Sequence, residues 1–331
     1  MRILITGGCG FIGSNFIRFL LKNTDHEIVN IDALTYAGNR ENLAMFEGNK
    51  RYVFIHGRIE NANIIKNIID DVDCVVNFAA ETHVDRSIVE PSQFLVTNVI
   101  GTHVLLEVCR DSGISKFVHI STDEVYGSLE DDESKFTEDM PLMPNSPYSA
   151  SKASADLIVR SYLVTYGIPA VIVRPSNNYG PYQFPEKFIP LAITNLIEDK
   201  PIPIYGDGKN VRNWIYVGDC VKGVYEVLKR GRIGEIYNLG GEAEFRNIDV
   251  ARIILKIMHK DERFLKFVED RPGHDYRYSL DCSKIKREIG WKPEMSFENG
   301  IKKTVEWYQK NEHWWKPLKN KLKKESHGFW N

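Results

Sequence analysis

The first thirteen residues constrain the fold most. Arg2–Thr6 reads as a short apolar strand, Thr6-Gly7-Gly8-Cys9-Gly10-Phe11-Ile12-Gly13 follows at once, and a helix with apolar Phe11, Ile12, Phe16, Phe19 and Leu20 begins where the glycines end. The segment satisfies G-x-G-x-x-G through Gly8, Gly10 and Gly13, and G-x-x-G-x-x-G through Gly7, Gly10 and Gly13. Glycine permits the tight turn and lets the backbone approach a pyrophosphate. The helix N-terminus adds unpaired N–H groups and the positive end of its dipole. A plain strand–helix turn with no ligand would use similar glycines. Asp32, closing the second strand about 20 residues after the loop, separates the two readings. A carboxylate there accepts from ribose hydroxyls and repels a 2′-phosphate, so NAD is expected over NADP. Arg40 is the neighbouring cation and reads as a solvated helix residue.

The rest of the first half alternates in the same way. Glu27–Ile31, Tyr52–His56, Cys74–Phe78, Lys116–Ser121 and Ala170–Arg174 read as short strands. Helical segments near Asn39–Phe46, Asn61–Ile69, Pro91–Ser112 and Ser149–Tyr166 lie between them. Short apolar strands separated by helices describe a parallel sheet covered on both faces, and right-handed crossovers make it doubly wound. The expected fold is therefore α/β, a Rossmann sheet. After Arg174 the texture changes: prolines 175, 181, 185, 190, 201 and 203 and the turn Tyr205-Gly206-Asp207-Gly208 interrupt it. We expect an NAD-binding domain over 1–175 and a smaller α/β substrate domain over 176–331, with about 211–240 partly returning to the first.

Composition excludes more than it assigns. Lys+Arg 43 against Asp+Glu 45 leaves a net charge of −2, too balanced for a general nucleic-acid or anionic-membrane partner. No apolar run reaches the roughly 20 residues of a membrane crossing, and the N-terminal strand does not resemble a signal peptide. Cys9, Cys74, Cys109, Cys220 and Cys282 are scattered and odd in number, which points away from a disulfide framework or a metal site and toward a reducing cytoplasm. The basic stretch Lys316–Lys324 reads as a solvated face.

Tyr148-Ser149-Ala150-Ser151-Lys152 puts a phenol and an ammonium four apart on one helical face. A free tyrosine titrates near ~10, and a cation one turn away would stabilise its phenolate. That gives a base able to take a hydroxyl proton. Upstream, Ser121-Thr122-Asp123-Glu124-Val125-Tyr126-Gly127 ends the fifth strand, where parallel sheets bind ligands. A solvated turn would also carry consecutive Asp123 and Glu124. In a closed site they would instead divide acid and base work.

T-G-G-x-G-F-I-G, S-T-D-E-V-Y-G and Y-x-x-x-K together resemble the extended short-chain dehydrogenase/reductases, and among them the nucleotide-sugar 4,6-dehydratases. Supporting blocks run from Ile31-Asp32-Ala33-Leu34-Thr35-Tyr36-Ala37-Gly38-Asn39 through Ala79–Ser87 and Ser176–Lys187 to Asp270-Arg271-Pro272-Gly273-His274-Asp275. The resemblance implies NAD as cofactor, dTDP-glucose as substrate and a homodimer built on the helices near Thr97–Cys109 and Ala150–Tyr166. It makes Tyr148, assisted by Lys152 and Thr122, the base at the sugar C4 hydroxyl. It makes Glu124 the base at C5 and protonated Asp123 the acid at the C6 hydroxyl.

Along NAD it places Gly7, Gly10, Phe11, Ile12, Gly13, Asp32, Ala33, Leu34, Thr35, Ile59, Ala79, Ala80, Thr97, Tyr148, Lys152 and Asn178. Arg58 stands where the family usually has Asp, so it must stack, use its backbone or leave that contact unmade. Around the nucleotide sugar the resemblance places His83, Thr122, Asn177, Lys187, Pro203, Tyr205, Arg212, Asn247, Arg271 and His274. Arg212 and Arg271 suit a diphosphate. Tyr205 suits stacking on a pyrimidine or a place in the core. Trp314 and Trp315 read as packing. A UDP-glucose 4,6-dehydratase, a UDP-sugar 4-epimerase and a non-catalytic NAD sensor on the same fold are the alternatives. The Asp-Glu pair argues against an epimerase, and the full catalytic set argues against a sensor.

Overall fold

The computed structural model describes residues 1–130 and 132–325. In chain order the strands are β1 (Arg2–Thr6), β2 (Glu27–Asp32), β3 (Tyr52–His56), β4 (Cys74–Asn77), β5 (Lys116–Ile120), β6 (Ala170–Pro175), β7 (Asn177–Tyr179), β8 (Ile202–Tyr205), β9 (Val211–Tyr216), β10 (Ile236–Leu239), β11 (Ala243–Arg246) and β12 (Leu265–Val268). The helices are α1 (Phe11–Asn23), α2 (Ala62–Ile69), α3 (Val84–Val89), α4 (Pro91–Phe94), α5 (Thr102–Arg110), α6 (Pro147–Tyr166), α7 (Phe188–Ile197), α8 (Val217–Arg230), α9 (Asn247–Ile257), α10 (Ser283–Ile289), α11 (Phe297–Lys310) and α12 (Glu312–Glu325).

Seven strands form a parallel sheet in the order β3-β2-β1-β4-β5-β6-β10. The chain winds outward from β1 to β3, then returns past β1 to build the other half. The order therefore reverses between β1 and β4, where the strand ends leave a crevice. Phe16, Leu20, Val221 and Val224 cover one face, and Ile65, Leu105 and Val159 cover the other. Full burial of each such side chain contributes about 1.5–3 kcal/mol. Ile285, Ile289 and Trp291 also join the first of these cores, although they lie far along the chain.

A second core gathers Tyr179, Ile193, Trp214, Ile254, Ile301 and Trp315. It lies against two small sheets, β11-β9-β7 and β12-β8. Four of these strands, β7, β8, β11 and β12, escape a periodicity reading because three or four residues define no period, and Pro203 sits inside β8.

Other segments also differ from expectation. Arg40–Phe46 is a 3₁₀ helix, started by Asn39, whose side chain accepts from Glu41 N. Arg40 is exposed as expected, and it lies over the Phe54 ring and pairs with Glu47 at 3.4 Å. The helix expected over 91–112 is broken by a π turn at Leu95–Gly101. There Asn98 turns inward and bonds Glu81 N, Glu81 O and Ser151 Oγ, bonds that hold the irregular turn. As one run, Pro91–Arg110 is 20 residues long and apolar enough to cross a membrane by composition. This corrects the expectation that no stretch has that length; Phe94, Asn98, Leu105 and Cys109 on its inner side are buried in the protein.

In the basic C-terminal stretch, Lys319 is not solvated. It is buried, donates to Asn195 Oδ1 at 2.7 Å and pairs with Glu198 at 3.0 Å. The side chains of Lys323 and Lys324 lie outside the described residues.

Candidate active site

The crevice deepens into a pocket that runs from the glycine loop to the carboxyl ends of β5 and β6. Close packing is what requires the glycines. A Cβ on Gly7, whose φ is +68°, would lie 2.6 Å from Ala79 N, and one on Gly13 would lie 2.5 Å from Gly7 O. Gly10 caps α1 without spending a side chain on the first-turn N–H groups. Asp32 is buried; its carboxylate accepts from Cys9 N at 2.8 Å and Leu34 N at 2.7 Å, which ties the loop to β2.

Gly7, Gly10, Phe11, Ile12, Gly13, Asp32, Ala33 and Thr35 line one end of the pocket. Arg58, Ile59, Ala79, Ala80, Thr97 and Asn178 line it further along. Leu34 is beside this lining and not in it, with a left-handed φ of +50°. Arg58 is half exposed, with its guanidinium 4.0 Å from Glu60. Ser176 Oγ and Asn177 Oδ1 are buried without a partner among the described residues. A loop closed to a Cβ at Gly7 and Gly13, bare helix N–H groups and unspent polar atoms fit an extended dinucleotide.

The catalytic candidates meet at the other end. Ser146 and Ser149 cap α6 reciprocally with Pro147 in its first turn, which places Tyr148 at the helix start. Lys152, one turn on, is buried and donates to Ile120 O at 2.7 Å. Thr122 Oγ1 donates to Asp123 Oδ1 at 3.3 Å and accepts from Glu124 N at 3.3 Å, starting the turn that carries both carboxylates. All five residues line the pocket.

Burial dominates the electrostatics here. It holds Asp123 well above the usual carboxylate range, with neighbouring Glu124 adding to the effect. Burial raises Glu124 as well, but Arg271, Lys187 and Arg212 pull it back. The two carboxyls thus have different surroundings, as an acid and a base need. Tyr148 is raised by burial and by Glu124, against a hydrogen bond with Thr122. Burial and the neighbouring carboxylates thus govern Tyr148 in the protein alone. Lys152 itself is pushed down to about 8 by burial, opposed by Asp156.

Of the substrate candidates, Thr122, Asn177 and Lys187 line the pocket, and Lys187 Nζ donates to Thr82 O at 2.9 Å. The others are not among its lining residues. His83 caps α3 by accepting from Arg86 N, and burial keeps it neutral. Tyr205 and Arg271 both reach Asp85, at 3.3 and 3.4 Å, and His274 meets Tyr205 edge to face. Pro203 lies in β8 and Asn247 starts α9. Arg212 is buried over Tyr278 and donates to the carbonyls of Val211, Asp275 and Tyr276.

Two further groups carry no role in the sequence reading. Glu186, raised to about 7 by burial, lines the pocket beside Lys187, inside a motif already quoted. Asp156 continues the Tyr148–Lys152 face by one more turn and accepts from Arg174 Nε at 2.9 Å. Its i+4 spacing from Lys152 was the available signal. Among the described residues no three His, Cys, Asp or Glu side chains are grouped to hold a metal.

The family profile described as GDP-mannose 4,6 dehydratase matches residues 4–304. A dTDP-glucose 4,6-dehydratase from Escherichia coli is 47% identical over 345 residues, covering 95% of this chain and 95% of the relative. The crystal structure of a dTDP-glucose 4,6-dehydratase from Streptomyces venezuelae with NAD bound superposes with a TM-score of 0.94 at 50% identity, covering 96% of this chain and 100% of the other. A UDP-glucuronic acid 4-epimerase from Bacillus cereus is more distant, at 32% identity and a TM-score of 0.88, covering 94% and 99%.

Proposed function

The chain belongs to the GDP-mannose 4,6 dehydratase family, and from that premise we propose that it dehydrates dTDP-glucose to dTDP-4-keto-6-deoxyglucose with NAD as a recycled cofactor. The observation that carries the reading is the Asp123–Glu124 pair in one pocket with Tyr148 and Lys152. The names of the similar proteins support the substrate, and the NAD-bound neighbours support the cofactor. Gly7, Gly10, Phe11, Ile12, Gly13 and Asp32 would hold the dinucleotide at the crevice. Bound there, NAD supplies a reversible two-electron acceptor that takes hydride from sugar C4 and returns it to C6.

The side chains move the protons. Tyr148, hydrogen-bonded by Thr122, accepts the C4 hydroxyl proton; the Lys152 ammonium and the positive charge of the oxidised cofactor favour the phenolate. A ketone at C4 makes the C5 hydrogen acidic, because its removal gives an enolate. Glu124, the more ionised carboxyl, takes that proton. Asp123, the more protonated one, gives a proton to the C6 hydroxyl as water departs. Returning a proton to C5 and hydride to C6 completes a redox-neutral dehydration. An epimerase needs only the first of these steps, so the carboxyl pair favours the dehydratase.

The outer side of the π turn and α6 supports a homodimer. Leu95, Val96, Ile100, Leu157, Val164 and Tyr166 expose apolar surface there, and a second copy of the chain would cover it. Five free thiols suit a reducing, cytoplasmic setting. The function is tested by incubating the purified protein with dTDP-, UDP- and CDP-glucose without added NAD. A 4-keto-6-deoxy product from dTDP-glucose is expected. A 4-epimer, or no product from any of the three, would overturn the reading.

A further inference from the structure

The C-terminal helix reaches the cofactor loop through one buried side chain. Trp314, in the first turn of α12, donates from its indole Nε1 to Asn42 Oδ1 at 2.9 Å. The other end of the same amide, Asn42 Nδ2, donates to Cys9 O at 2.9 Å. Cys9 lies in the glycine loop, and its backbone is fixed at both ends: Asp32 takes the N–H at 2.8 Å, while Asn39 N and Asn42 share the carbonyl. The Cys9 carbonyl and the Gly10 N–H belong to one rigid peptide plane. Fixing the carbonyl therefore fixes the turn that presents the first N–H groups of α1 to an anion.

The bridge is sealed from water. Cys9 and Asn42 are almost fully buried, and Trp314 is 8% exposed. Its surroundings hold the amide in one orientation: Arg18 donates to Asn42 O at 3.0 Å and lies over the Tyr182 ring, which packs edge to face on Trp314. Trp314 belongs to the second core, together with Trp315 and Ile301. A side chain that reads from sequence as packing thus carries a polar connection between the second core and the pyrophosphate turn.

We propose that Trp314 and Asn42 are positioning residues for the dinucleotide loop, through which the C-terminal helix sets how tightly NAD is retained. The proposal rests on NAD occupying the crevice. Retention matters to a redox-neutral cycle, because a cofactor that leaves half-way strands the oxidised sugar. Removing the indole N–H leaves Asn42 Oδ1 buried and unpaired. The amide can then relieve that cost by turning away from Cys9 O, which frees the turn.

The test follows release of NAD from the purified holoprotein, by rapid gel filtration at successive times, in Trp314→Phe, Asn42→Ala, the double variant and Trp307→Phe. Trp307 packs on Trp314 and Tyr182 and serves as the packing control. Loss of a buried hydrogen bond predicts release about tenfold faster in Trp314→Phe and Asn42→Ala, and native-like release in Trp307→Phe. The double variant should release no faster than Asn42→Ala alone, because both changes cut one path. Activity lost on dilution should return on adding NAD. Native release rates in Trp314→Phe and Asn42→Ala would overturn the proposal whatever their melting temperatures. Equal acceleration in Trp307→Phe would also overturn it, by assigning the effect to packing. Asn42→Ala alone decides the matter if Trp314→Phe does not fold. A native protein that neither carries nor binds NAD would refute the cofactor reading itself, an outcome distinct from native-like release in the variants.

Discussion

Lys152 is 3% exposed, and among the described residues its ammonium has one hydrogen bond, to Ile120 O. Burial lowers its pKa from 10.5 to about 8. A lysine whose pKa falls on folding binds fewer protons in the folded state, so stability rises with pH between the two values. Keeping the ammonium buried therefore costs about 3 kcal/mol at pH 7.5, shrinking to about 1 kcal/mol at pH 9.5. Lys152→Met removes that penalty but leaves Ile120 O without a charged donor, a loss of about 1.5 kcal/mol. In nucleotide-free protein the variant should be about 1–2 kcal/mol more stable than native at pH 7.5, by urea denaturation. Its advantage should fall by about 2 kcal/mol at pH 9.5. Other groups titrate in both proteins, so the difference between the two curves isolates Lys152. Its turnover should fall by about 100-fold or more, because the phenolate of Tyr148 loses its cation. A variant less stable than native at both pH values, or a difference independent of pH, would refute the burial argument. Turnover at the native level would refute the role in proton transfer.

The other expectations follow from contacts already described. Gly13→Ala places a methyl 2.5 Å from Gly7 O, where only backbone could yield; NAD binding by calorimetry should weaken by at least tenfold, about 1.4 kcal/mol. Asp123→Asn keeps the size of the side chain but has no acidic proton, so cofactor reduction by substrate should persist while water loss slows by about 100-fold or more in stopped-flow absorbance. Leu157→Arg adds a charge to the exposed apolar face of α6; light scattering should show a shift from dimer to monomer, with the circular dichroism spectrum unchanged.

The sheet was legible because its signals are local. Glycine at 7, 10 and 13 and an acid at 32 report a strand–turn–helix wherever they occur, and strands buried on both faces carry unbroken apolar runs. The candidate site was legible through Tyr148, Lys152, Asp123 and Glu124, because i+4 spacing and adjacency are visible in one dimension. The second core was less so: β7, β8, β11 and β12 are too short to show a period, and their partners lie far away in sequence. Arg212 shows a further gap. Its residue type suits a diphosphate, but only the fold reveals that three backbone carbonyls hold its guanidinium. Trp314 shows the same gap, since hydrophobicity announces a core residue and says nothing of where the indole N–H points.

The central claim is that Glu124 removes the C5 proton of a 4-keto sugar beside the Tyr148–Lys152 pair. Its most direct test is mass spectrometry of sugar recovered from reactions in deuterium oxide, comparing native protein with Glu124→Gln. Native protein should give a 4-keto-6-deoxy product with one deuterium at C5. Glu124→Gln should show transient reduction of the bound cofactor but incorporate no deuterium at C5. Deuterium at C5 in Glu124→Gln at the native rate would contradict the account.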